Sequence, residues 1–251
     1  MDELVSIITP AYNAAVYIRE TIQSVINQTY QNWELIVIDD CSSDETYQIV
    51  KGYCDMDSRI RLIQNEINSR VAISRNNGLK IAKGRYVAFL DSDDIWLPNK
   101  LELQIKFMNK KQCVLSYAYY ISFFESITNA KKVMKAPDEM SANQLLKNTA
   151  IGCLTVVVDK LLSGDFEMPL LDHAEDMLTW YMILKKTNQK AYAVRENLAY
   201  YRLTNNSLSG NKRKSIKQQW NVYRKFLHFS FFKSSYLFLM YALHAVARRI
   251  W

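Results

Sequence analysis

Short runs of Ile, Val and Leu alternate with amphipathic stretches along the first part of the chain. Such bounded apolar runs are typical of buried strands, and they lie at Leu4–Thr9, Leu35–Ile38, Ile60–Ile63 and Tyr86–Leu90. The amphipathic stretches between them predict helices at Val16–Gln28, Asp44–Cys54 and Ser69–Ala82. Strand–helix alternation of this kind predicts an α/β fold with a parallel sheet and right-handed crossovers.

The pattern is less regular from about Pro98 onward. It predicts two further helices, at Lys100–Asn109 and Glu175–Lys186, and further strands at Cys113–Tyr119, Leu154–Val158 and Ala191–Tyr201. Two local signals mark helix ends in the first part of the chain. We expect Ser42–Glu45 to supply the N-cap of the second helix and Gly84 to supply the C-cap of the third.

The composition is that of a folded domain, with 251 residues of which 49% are hydrophobic and 23% charged. It excludes a disordered or collagen-like chain. The four cysteines lack metal-binding spacing, so we expect free thiols. No signal peptide is expected behind the opening Met1-Asp2-Glu3-Leu4, and the apolar stretch between Lys233 and Arg248 is too short for a transmembrane helix.

Two clusters of carboxylates follow directly after predicted strands: Asp39-Asp40 after the second, and Asp91-Ser92-Asp93-Asp94 after the fourth. Parallel α/β sheets bind ligands beyond the carboxyl ends of their strands. Clustered carboxylates repel one another unless a cation or hydrogen-bond donors offset the repulsion. The spacing of Asp91 and Asp93 suits Mg²⁺ or Mn²⁺ bound together with substrate phosphates. The alternative is an ordinary acidic turn that caps the following helix.

A third acidic pair, Glu175-Asp176, opens a predicted amphipathic helix. Taken alone, acidic residues in a first turn stabilise the helix dipole by about 0.3–1 kcal/mol. Beside a metal–phosphate site, a carboxylate at this position would instead serve as a general base. Both interpretations are open on these residues alone.

The net charge of +7 belongs to the end of the chain, because residues 211–251 contain nine Lys or Arg and no Asp or Glu, whereas residues 1–210 have a net charge of −2. The same segment holds ten of the 31 aromatic residues. On a helical wheel, one arc holds Ile216, Trp220, Tyr223 and Leu227, beside an arc with Lys214, Lys217, Arg224 and Lys225. This pattern favours an amphipathic helix on an anionic membrane surface. The alternative is a helical hairpin packed on the body of the protein. Nucleic acid is not an expected partner, because the predicted ligand-binding edge is rich in carboxylates.

The acidic clusters belong to an ordered set of motifs, through which the chain resembles the family 2 inverting glycosyltransferases of GT-A fold. The resemblance runs from Val5 to about Ser209. The motifs are Thr9-Pro10-Ala11-Tyr12-Asn13, Ile38-Asp39-Asp40-Cys41-Ser42-Ser43-Asp44, Arg75-Asn76-Asn77-Gly78, Phe89-Leu90-Asp91-Ser92-Asp93-Asp94, Glu175-Asp176, and Tyr201-Arg202 with Ser207-Leu208-Ser209. The resemblance implies a catalytic domain at 1–210 with a Rossmann-like, mainly parallel sheet. This domain would comprise a nucleotide-binding half at 1–100 and an acceptor half at 101–210, and a helical tail would follow at 211–251.

The resemblance implies a UDP-sugar donor and a single displacement with inversion at the anomeric carbon. The segment Pro10–Tyr12 would border the uridine, Asp39 would accept a hydrogen bond from the uracil ring, and Asp91 would hold the ribose or the donor sugar. The nucleotide-sugar site implied in this way comprises Pro10, Ala11, Tyr12, Asp39, Asp40, Asn68, Arg75, Asp91 and Ser92.

The resemblance also implies which residues carry out the reaction. Asp93 would bind the Mn²⁺ or Mg²⁺ that bridges the diphosphate. Asp176 would be the catalytic base that deprotonates the acceptor hydroxyl, and Glu175 would orient the acceptor. A segment after Tyr201-Arg202 would close over the phosphates, with contributions from Ser207, Ser209 and Lys212.

Two positions depart from the family pattern, which often has glycine at Cys41 and commonly at Arg70. Both are predicted turns near the nucleotide, so they bear on the shape of the pocket.

The segment Pro10–Asn13 argues against two other enzyme classes. It is not the Gly- and Arg-rich phosphate loop of a sugar nucleotidyltransferase, nor the Asp-x-Asp motif that a haloacid-dehalogenase-type phosphatase carries after its first strand.

Family members whose chains end in a Tyr-Arg motif, a Ser-Leu-Ser motif and a basic helix often use hexosyl donors. By analogy, we expect a hexose to be transferred from UDP-glucose or UDP-galactose to a lipid-diphosphate-linked saccharide. The process would be O-antigen or capsule biosynthesis, and the enzyme would sit at the cytoplasmic face of the cell membrane, attached through residues 211–251. The alternative is a catalytically inactive GT-A-like binding or scaffold protein at the membrane. The three intact acidic motifs favour the enzyme.

Overall fold

The described part of the chain forms a ten-stranded sheet with helices on its two faces. The structure, a computed structural model, describes residues 3–171, 174–204 and 212–250, without the side chains of 212–215 and 247–250. The strands are β1 (Val5–Ala11), β2 (Trp33–Asp39), β3 (Ile60–Gln64), β4 (Tyr86–Phe89), β5 (Ile95–Trp96), β6 (Leu115–Phe124), β7 (Ser126–Met134), β8 (Glu139–Met140), β9 (Val157–Asp159) and β10 (Ala191–Leu203). The helices are α1 (Ile18–Ile26), α2 (Thr46–Met56), α3 (Val71–Ile81), α4 (Lys100–Lys111), α5 (Ala142–Leu145), α6 (Lys160–Ser163), α7 (Glu175–Thr187), α8 (Lys212–Asn221) and α9 (Phe231–Ile250).

The strand order across the sheet is β3-β2-β1-β4-β9-β6-β10-β5, with β7 paired to β6 and β8 paired to β10. The strands of the first half, β3, β2, β1 and β4, are adjacent and parallel. Every residue of β2 and β4 is buried, because helices cover such strands on both faces, and their sequences are therefore continuous apolar runs. The predicted α/β fold with a mainly parallel central sheet and flanking helices is confirmed.

Consecutive residues of β1 point into two separate hydrophobic cores. Ile7 packs in one core with Ile18 and Ile22 of α1, and Ile8 packs in the other with Leu79 of α3. Full burial of each such side chain stabilises the fold by about 1.5–3 kcal/mol. The sheet is thus anchored on both faces and holds the loops at its carboxyl edge in place.

The prediction that Gly84 caps the third helix is wrong. Helix α3 ends at Ile81, its C-cap residue is Ala82 with an extended backbone, and Gly84 does not have a positive φ. Glycine is required for a different reason, because a Cβ at this position would lie 2.6 Å from the backbone nitrogen of Ser6 and 2.7 Å from the carbonyl oxygen of Leu4. The close approach of the chain to β1 therefore leaves no space for a side chain.

The second half differs more from the prediction. The strand expected at Cys113–Tyr119 is β6, which continues to Phe124 and turns into a hairpin with β7. The strand expected at Leu154–Val158 is a 3₁₀ turn at Cys153–Thr155 followed by β9, which lies antiparallel between β4 and β6. Strand β7 is mostly exposed, so backbone hydrogen bonds and not burial hold it, and its sequence carries no apolar pattern that would predict it.

The tail packs one face against the body of the protein. After α8, a π-helical turn at Val222–Phe226 leads towards α9. Tyr223 is fully buried, and its hydroxyl donates a hydrogen bond of 2.5 Å to the carbonyl oxygen of Leu146. Leu237 of α9 joins the same cluster, which includes Leu178 of α7. The prediction that Tyr223 faces lipid is therefore wrong, because this side chain docks the tail on α7. No helix within the described ranges has the length and apolar character needed to cross a bilayer.

Candidate active site

The loops that follow β1 and β2 are joined by hydrogen bonds between side chains of one loop and backbone N–H groups of the other. The N–H groups belong to the start of the α1 region, and the acceptors belong to the segment before and at the start of α2. The pairs are Asn13 with Ser42 at 3.0 Å, Ala14 with Thr46 at 2.8 Å, and Ala15 with Asp44 at 3.0 Å. Glu45 is the N-cap residue of α2, inside the predicted segment, but its side chain makes no capping hydrogen bond. The polar residues expected to cap α2 thus mainly hold the loop after β1.

Asp39 ends β2 and is fully buried. Its Oδ2 accepts a hydrogen bond of 3.0 Å from the side-chain amide of Gln64, whereas its Oδ1 is buried without a hydrogen-bond partner among the described residues. A buried acceptor without a donor costs about 1–3 kcal/mol, so this atom has a strong preference for a ligand N–H. The ring N–H of uracil is such a donor, and the geometry suits the role that the resemblance implies.

Asp40 is occupied by the protein itself. Its Oδ1 accepts hydrogen bonds from the side chain of Asn65 at 2.7 Å and the backbone of Ser69 at 2.8 Å, and its Oδ2 accepts one from the backbone of Arg70 at 2.9 Å. These bonds tether the 65–70 loop, on which Asn68 is exposed. Asp40 therefore holds the loop beside the end of β2, and Asn68 is exposed on that loop.

The two positions that depart from the family pattern have backbone conformations that favour glycine. Cys41 has a φ of 63°, and Arg70 has a φ of 74° with a ψ of 164°. A residue with a Cβ is strained in these regions of conformational space, at a cost of about 1–3 kcal/mol for the second. This explains physically why glycine suits both positions.

At the rim of β1, Ala11 is buried and the side chain of Tyr12 is 52% exposed. Pro10 is partly buried beside them, and Ala11 pairs with Asp39 in the register of β1 and β2. The structure thus brings together the sequence-predicted Pro10–Tyr12 segment and Asp39 at one edge of the sheet. The exposed ring of Tyr12 is available to contact a ligand there.

The Asp91–Asp94 turn follows β4 at the same edge. The backbone N–H of Asp94 donates to the carbonyl of Asp91 at 3.1 Å, Asp94 is fully buried, and Asp91, Ser92 and Asp93 are partly exposed. The side-chain carboxylate of Asp93 makes no ion pair or hydrogen bond with another described side chain, and its described donor is the backbone N–H of Asp93 itself. Burial, followed by the negative charge of Asp91, raises the pKa of Asp93 to about 6. A cation at this carboxylate would relieve both effects.

The donor set at this turn fits one kind of metal site. Within the described ranges, no group of three or more His, Cys, Asp or Glu side chains is arranged to hold a metal ion. Mg²⁺ does not need such a cage, because it usually binds one or two carboxylates and completes its shell with phosphate and water oxygens. Asp93, a hard-oxygen donor at the carboxyl edge of the sheet that is engaged by no other described side chain, meets that requirement.

Arg75 of α3 connects the two acidic clusters. Its side chain is buried, with Nη2 2.6 Å from Oδ1 of Asp91 and Nη1 3.0 Å from Oε1 of Glu175. Glu175 is 100 residues away in the sequence. The carboxylate after β4 and the carboxylate at the start of α7 therefore lie on either side of one guanidinium group.

Glu175 and Asp176 begin α7, immediately after Ala174 in the left-handed conformation. Glu175 is 8% exposed, and burial, followed by the negative charge of Asp176, raises its pKa to about 7. Asp176 is more exposed than Glu175 and accepts a hydrogen bond of 2.6 Å from the backbone of Met177. The pair thus consists of a buried carboxyl that holds Arg75 and a neighbouring carboxylate that is partly exposed.

Comparison with known protein sequences identifies the family of this chain. The sequence profile described as glycosyl transferase family 2 matches residues 6–161. The chain belongs to glycosyl transferase family 2. It is 44% identical to the putative teichuronic acid biosynthesis glycosyltransferase TuaG of Bacillus subtilis, over 98% of each chain. It is 47% identical to the UDP-Glc:alpha-D-GlcNAc-diphosphoundecaprenol beta-1,3-glucosyltransferase WfgD of Escherichia coli, over 90% of this chain and 87% of that one.

Solved structures confirm the GT-A fold of this family 2 glycosyltransferase. The structure of S. aureus TarS 1–349 in complex with UDP-GlcNAc aligns with a TM-score of 0.75 at 22% identity, over 95% of this chain and 71% of that one. The mannosyltransferase PcManGT from Pyrobaculum calidifontis, solved with GDP-Man and Mn²⁺, aligns with a TM-score of 0.71 at 15% identity, over 98% of this chain and 75% of that one. At these identities the likeness concerns the fold.

Two residues at the site were not expected from the sequence to act as they do. Gln64, at the end of β3, orients Asp39, and Arg202, at the end of β10, contacts the Asp91–Asp94 turn. Arg202 belongs to the Tyr201-Arg202 motif, which indicates a functional position, but nothing in the sequence indicates which residues it contacts. The predicted phosphate-covering residues Ser207 and Ser209, and the side chain of Lys212, lie outside the described residues.

Proposed function

We propose that this glycosyltransferase moves a hexose from a UDP-sugar to a lipid-diphosphate-linked saccharide, with inversion at the anomeric carbon, during synthesis of a cell-surface polysaccharide. UDP-glucose is the donor that we favour, with UDP-galactose second. The names of WfgD and of WfaP of Escherichia coli, which is 42% identical over 88% of this chain, support this choice. Both are UDP-Glc:alpha-D-GlcNAc-diphosphoundecaprenol glucosyltransferases.

The observation that carries the proposal is the meeting of the Asp91–Asp94 turn and the start of α7 around Arg75. A single displacement needs leaving-group stabilisation on one side of the anomeric carbon and a base for the acceptor hydroxyl on the other. The turn lies beside the Asp39 edge, where a nucleotide would bind, and α7 brings Asp176 from the opposite side of Arg75. The two functions are thus adjacent without sharing a residue.

Asp39 would fix the base of the donor through its unpartnered Oδ1, with Gln64 holding the carboxylate in place. Asp91 would hold the ribose or the donor sugar, and its ion pair with Arg75 sets the direction in which its second oxygen faces. Asp93 would hold a Mn²⁺ or Mg²⁺ ion, which would supply charge stabilisation for the departing diphosphate. These roles follow the family resemblance and are proposals for this chain.

Asp176 would accept the proton of the acceptor hydroxyl as that oxygen attacks the anomeric carbon, while the bond to the diphosphate breaks. Positioned general bases contribute about 10²–10⁴-fold to such reactions. Glu175 is engaged by Arg75, so it is suited to orienting the acceptor side of the site and not to free proton transfer. The engagement of Glu175 by Arg75 supports this division of roles within the pair.

The experiment that tests this proposal is a UDP-release assay with UDP-glucose, UDP-galactose and UDP-GlcNAc, Mn²⁺ and a synthetic GlcNAc-diphospho-lipid acceptor. We expect turnover with UDP-glucose, a loss of about 10²-fold or more in Asp176→Asn with UDP binding retained, and loss of Mn²⁺-dependent UDP binding in Asp93→Asn. Asp138→Asn is the matched control, because Asp138 forms an exposed ion pair with Arg195 away from the site. Full activity of both Asp93→Ala and Asp176→Ala would refute the mechanism, and absence of UDP binding by the wild type would favour an inactive scaffold.

We further propose that the tail attaches the enzyme peripherally to the cytoplasmic face of the membrane, where a lipid-linked acceptor is found. Helix α9 exposes large apolar side chains every three or four residues, which places them on one face. This α9 stripe consists of Phe232, Tyr236, Leu239, Leu243 and Val246, with exposures of 53–86%. Exposed cations precede it in the sequence at Lys217, Arg224 and Lys225, and Lys233 lies within it. Residues 211–251 contain no carboxylate side chain. An anionic lipid surface complements both features.

Co-sedimentation with vesicles tests the attachment. We expect the wild type to bind vesicles with one third phosphatidylglycerol more tightly than pure phosphatidylcholine, and Phe232→Glu with Leu239→Glu to abolish binding. Leu161→Glu is the control, since Leu161 is 72% exposed outside the tail. If the double variant binds as the wild type does, the stripe does not face lipid, and if it converts a dimer to a monomer, the stripe joins two copies of the chain.

A further inference from the structure

Arg202 makes an unusually complete set of contacts for a residue at the end of a strand. It is 3% exposed, and its guanidinium carbon lies 4.5 Å from the ring centroids of both Tyr17 and Phe123. Its Nη2 donates to Glu20 at 2.5 Å and its Nη1 to the carbonyl of Glu125 at 3.0 Å. Planar guanidinium groups suit stacking and several directed hydrogen bonds at once, so the orientation of this side chain is fully determined.

The remaining contacts of Arg202 are to the Asp91–Asp94 turn. Its Nε donates to the backbone carbonyl of Asp93 at 2.8 Å, and its backbone N–H donates to Oδ1 of Asp94 at 2.8 Å. Arg202 lies more than 100 residues after the turn, on the last strand of the sheet. The position of the turn is therefore determined by β10 as well as by β4.

Thr21 of α1 contacts the same turn. Its hydroxyl lies 3.0 Å from the carbonyl oxygen of Ser92 and 2.9 Å from that of Asp94. Two buried side chains on different elements thus contact the carbonyls of three consecutive residues: Arg202 donates to that of Asp93, and the single hydroxyl proton of Thr21 is shared between those of Ser92 and Asp94. By contrast, the side-chain carboxylate of Asp93 between them is engaged by no other described side chain, and its described donor is the backbone N–H of Asp93 itself.

We infer that Arg202 and Thr21 are positioning residues that hold the backbone of the Asp91–Asp94 turn so that the carboxylate of Asp93 is presented to a divalent cation. The inference rests on the proposed function, because it concerns the metal assigned there to Asp93. Residues that orient a metal ligand act on metal affinity without touching the metal, and their loss typically lowers that affinity by about 10–100-fold. The affinity of the nucleotide itself is then unaffected when no metal is present.

The test compares UDP binding by calorimetry with Mn²⁺ and in EDTA for the wild type, Thr21→Val, Thr21→Ser and Arg202→Lys. Thr21→Val is nearly isosteric and removes only the hydroxyl, and Thr21→Ser restores it. Arg195→Lys is the matched control for Arg202, since Arg195 lies on the same strand and is 69% exposed. Thermal denaturation of each variant establishes that it is folded.

We expect the Mn²⁺-dependent gain in UDP affinity to fall about tenfold in Thr21→Val and Arg202→Lys, and to be restored in Thr21→Ser. Affinity in EDTA should stay within about twofold of the wild type. A lower melting temperature with an unchanged Mn²⁺ gain would show a purely structural role and overturn the inference. If UDP binding by the wild type does not respond to Mn²⁺, the proposed metal site itself fails, and this outcome is distinct from the previous one.

Discussion

Replacing Glu175 by glutamine should stabilise the protein at alkaline pH and leave its stability at acid pH nearly unchanged. The pKa of Glu175 is raised from 4.5 to about 7, first by burial and then by the charge of Asp176. In the unfolded chain the group ionises near its ordinary value, so the folded state binds this proton more tightly. The resulting contribution to stability is fully present below about pH 4.5 and is lost as the pH rises through about 7.

The size of the effect follows from the shift. A change of one pH unit in pKa corresponds to about 1.4 kcal/mol, so the rise of Glu175 from 4.5 to about 7 corresponds to a loss of about 3 kcal/mol between acid and alkaline pH. Glutamine resembles the protonated acid, because its side-chain carbonyl can still accept the hydrogen bond from Arg75. The variant should therefore exceed the wild type by up to about 3 kcal/mol at pH 8.5.

Urea unfolding followed by tryptophan fluorescence, between pH 4.5 and 8.5, measures this difference directly. The informative quantity is the free energy of unfolding of Glu175→Gln minus that of the wild type, since titrating groups that do not interact with Glu175 cancel in the difference. Asp138→Asn serves as the control and should give a flat profile, because Asp138 lies in an exposed ion pair. The reasoning is refuted if the difference for Glu175→Gln does not change with pH, or if the variant is the less stable protein at pH 8.5.

Three further changes test other features of the fold. Arg70→Gly should be more stable than Arg70→Ala by about 1–3 kcal/mol in urea unfolding, because the φ of 74° and ψ of 164° disfavour any Cβ; equal stability would contradict this. Lys100→Met should raise the free energy of unfolding at pH 7, by about 1.4 kcal/mol for each pH unit by which burial lowers the lysine pKa. The Nζ of Lys100 has no hydrogen-bond partner among the described residues and lies 3.9 Å from the ring centroid of Trp96. The gain should disappear above pH 10.5, and a gain that persists there would have another cause. Gly84→Ala should lower the melting temperature, with a cost of about 1–3 kcal/mol, because its Cβ would lie 2.6 Å from the backbone of Ser6; an unchanged melting temperature would show that this contact relaxes freely.

The tail shows that a sequence pattern can identify the apolar positions of a helix without showing which of them pack on the protein. A helical wheel places Tyr223 with Ile216 on one apolar arc, and both positions suit lipid and protein equally well. In the structure Tyr223 is buried on α7 and bonded to Leu146, whereas Ile216 is 49% exposed. Amphipathicity identifies an apolar face, but the partner of that face is decided by which surface of the body is left uncovered.

Strand β7 shows a second limit. It mixes polar and apolar residues without a regular pattern and is mostly exposed, so neither alternation nor an apolar run distinguishes it from a loop. Its conformation comes from hydrogen bonds to β6 across a hairpin. Since backbone hydrogen bonds do not depend on side-chain type, a strand of this kind has little sequence pattern to detect.

The sequence by itself determined that Asp39 and Asp91 follow buried parallel strands, and hence that both lie at the ligand-binding edge of an α/β sheet. That inference is local, because it needs only the end of an apolar run and the direction of the chain. Only the tertiary structure decided that Arg75 joins Asp91 to Glu175, and that Arg202 and Thr21 both contact the Asp91–Asp94 turn. These contacts join residues far apart in the chain, and they depend on how helices and strands pack, which no spacing of residues along one segment records.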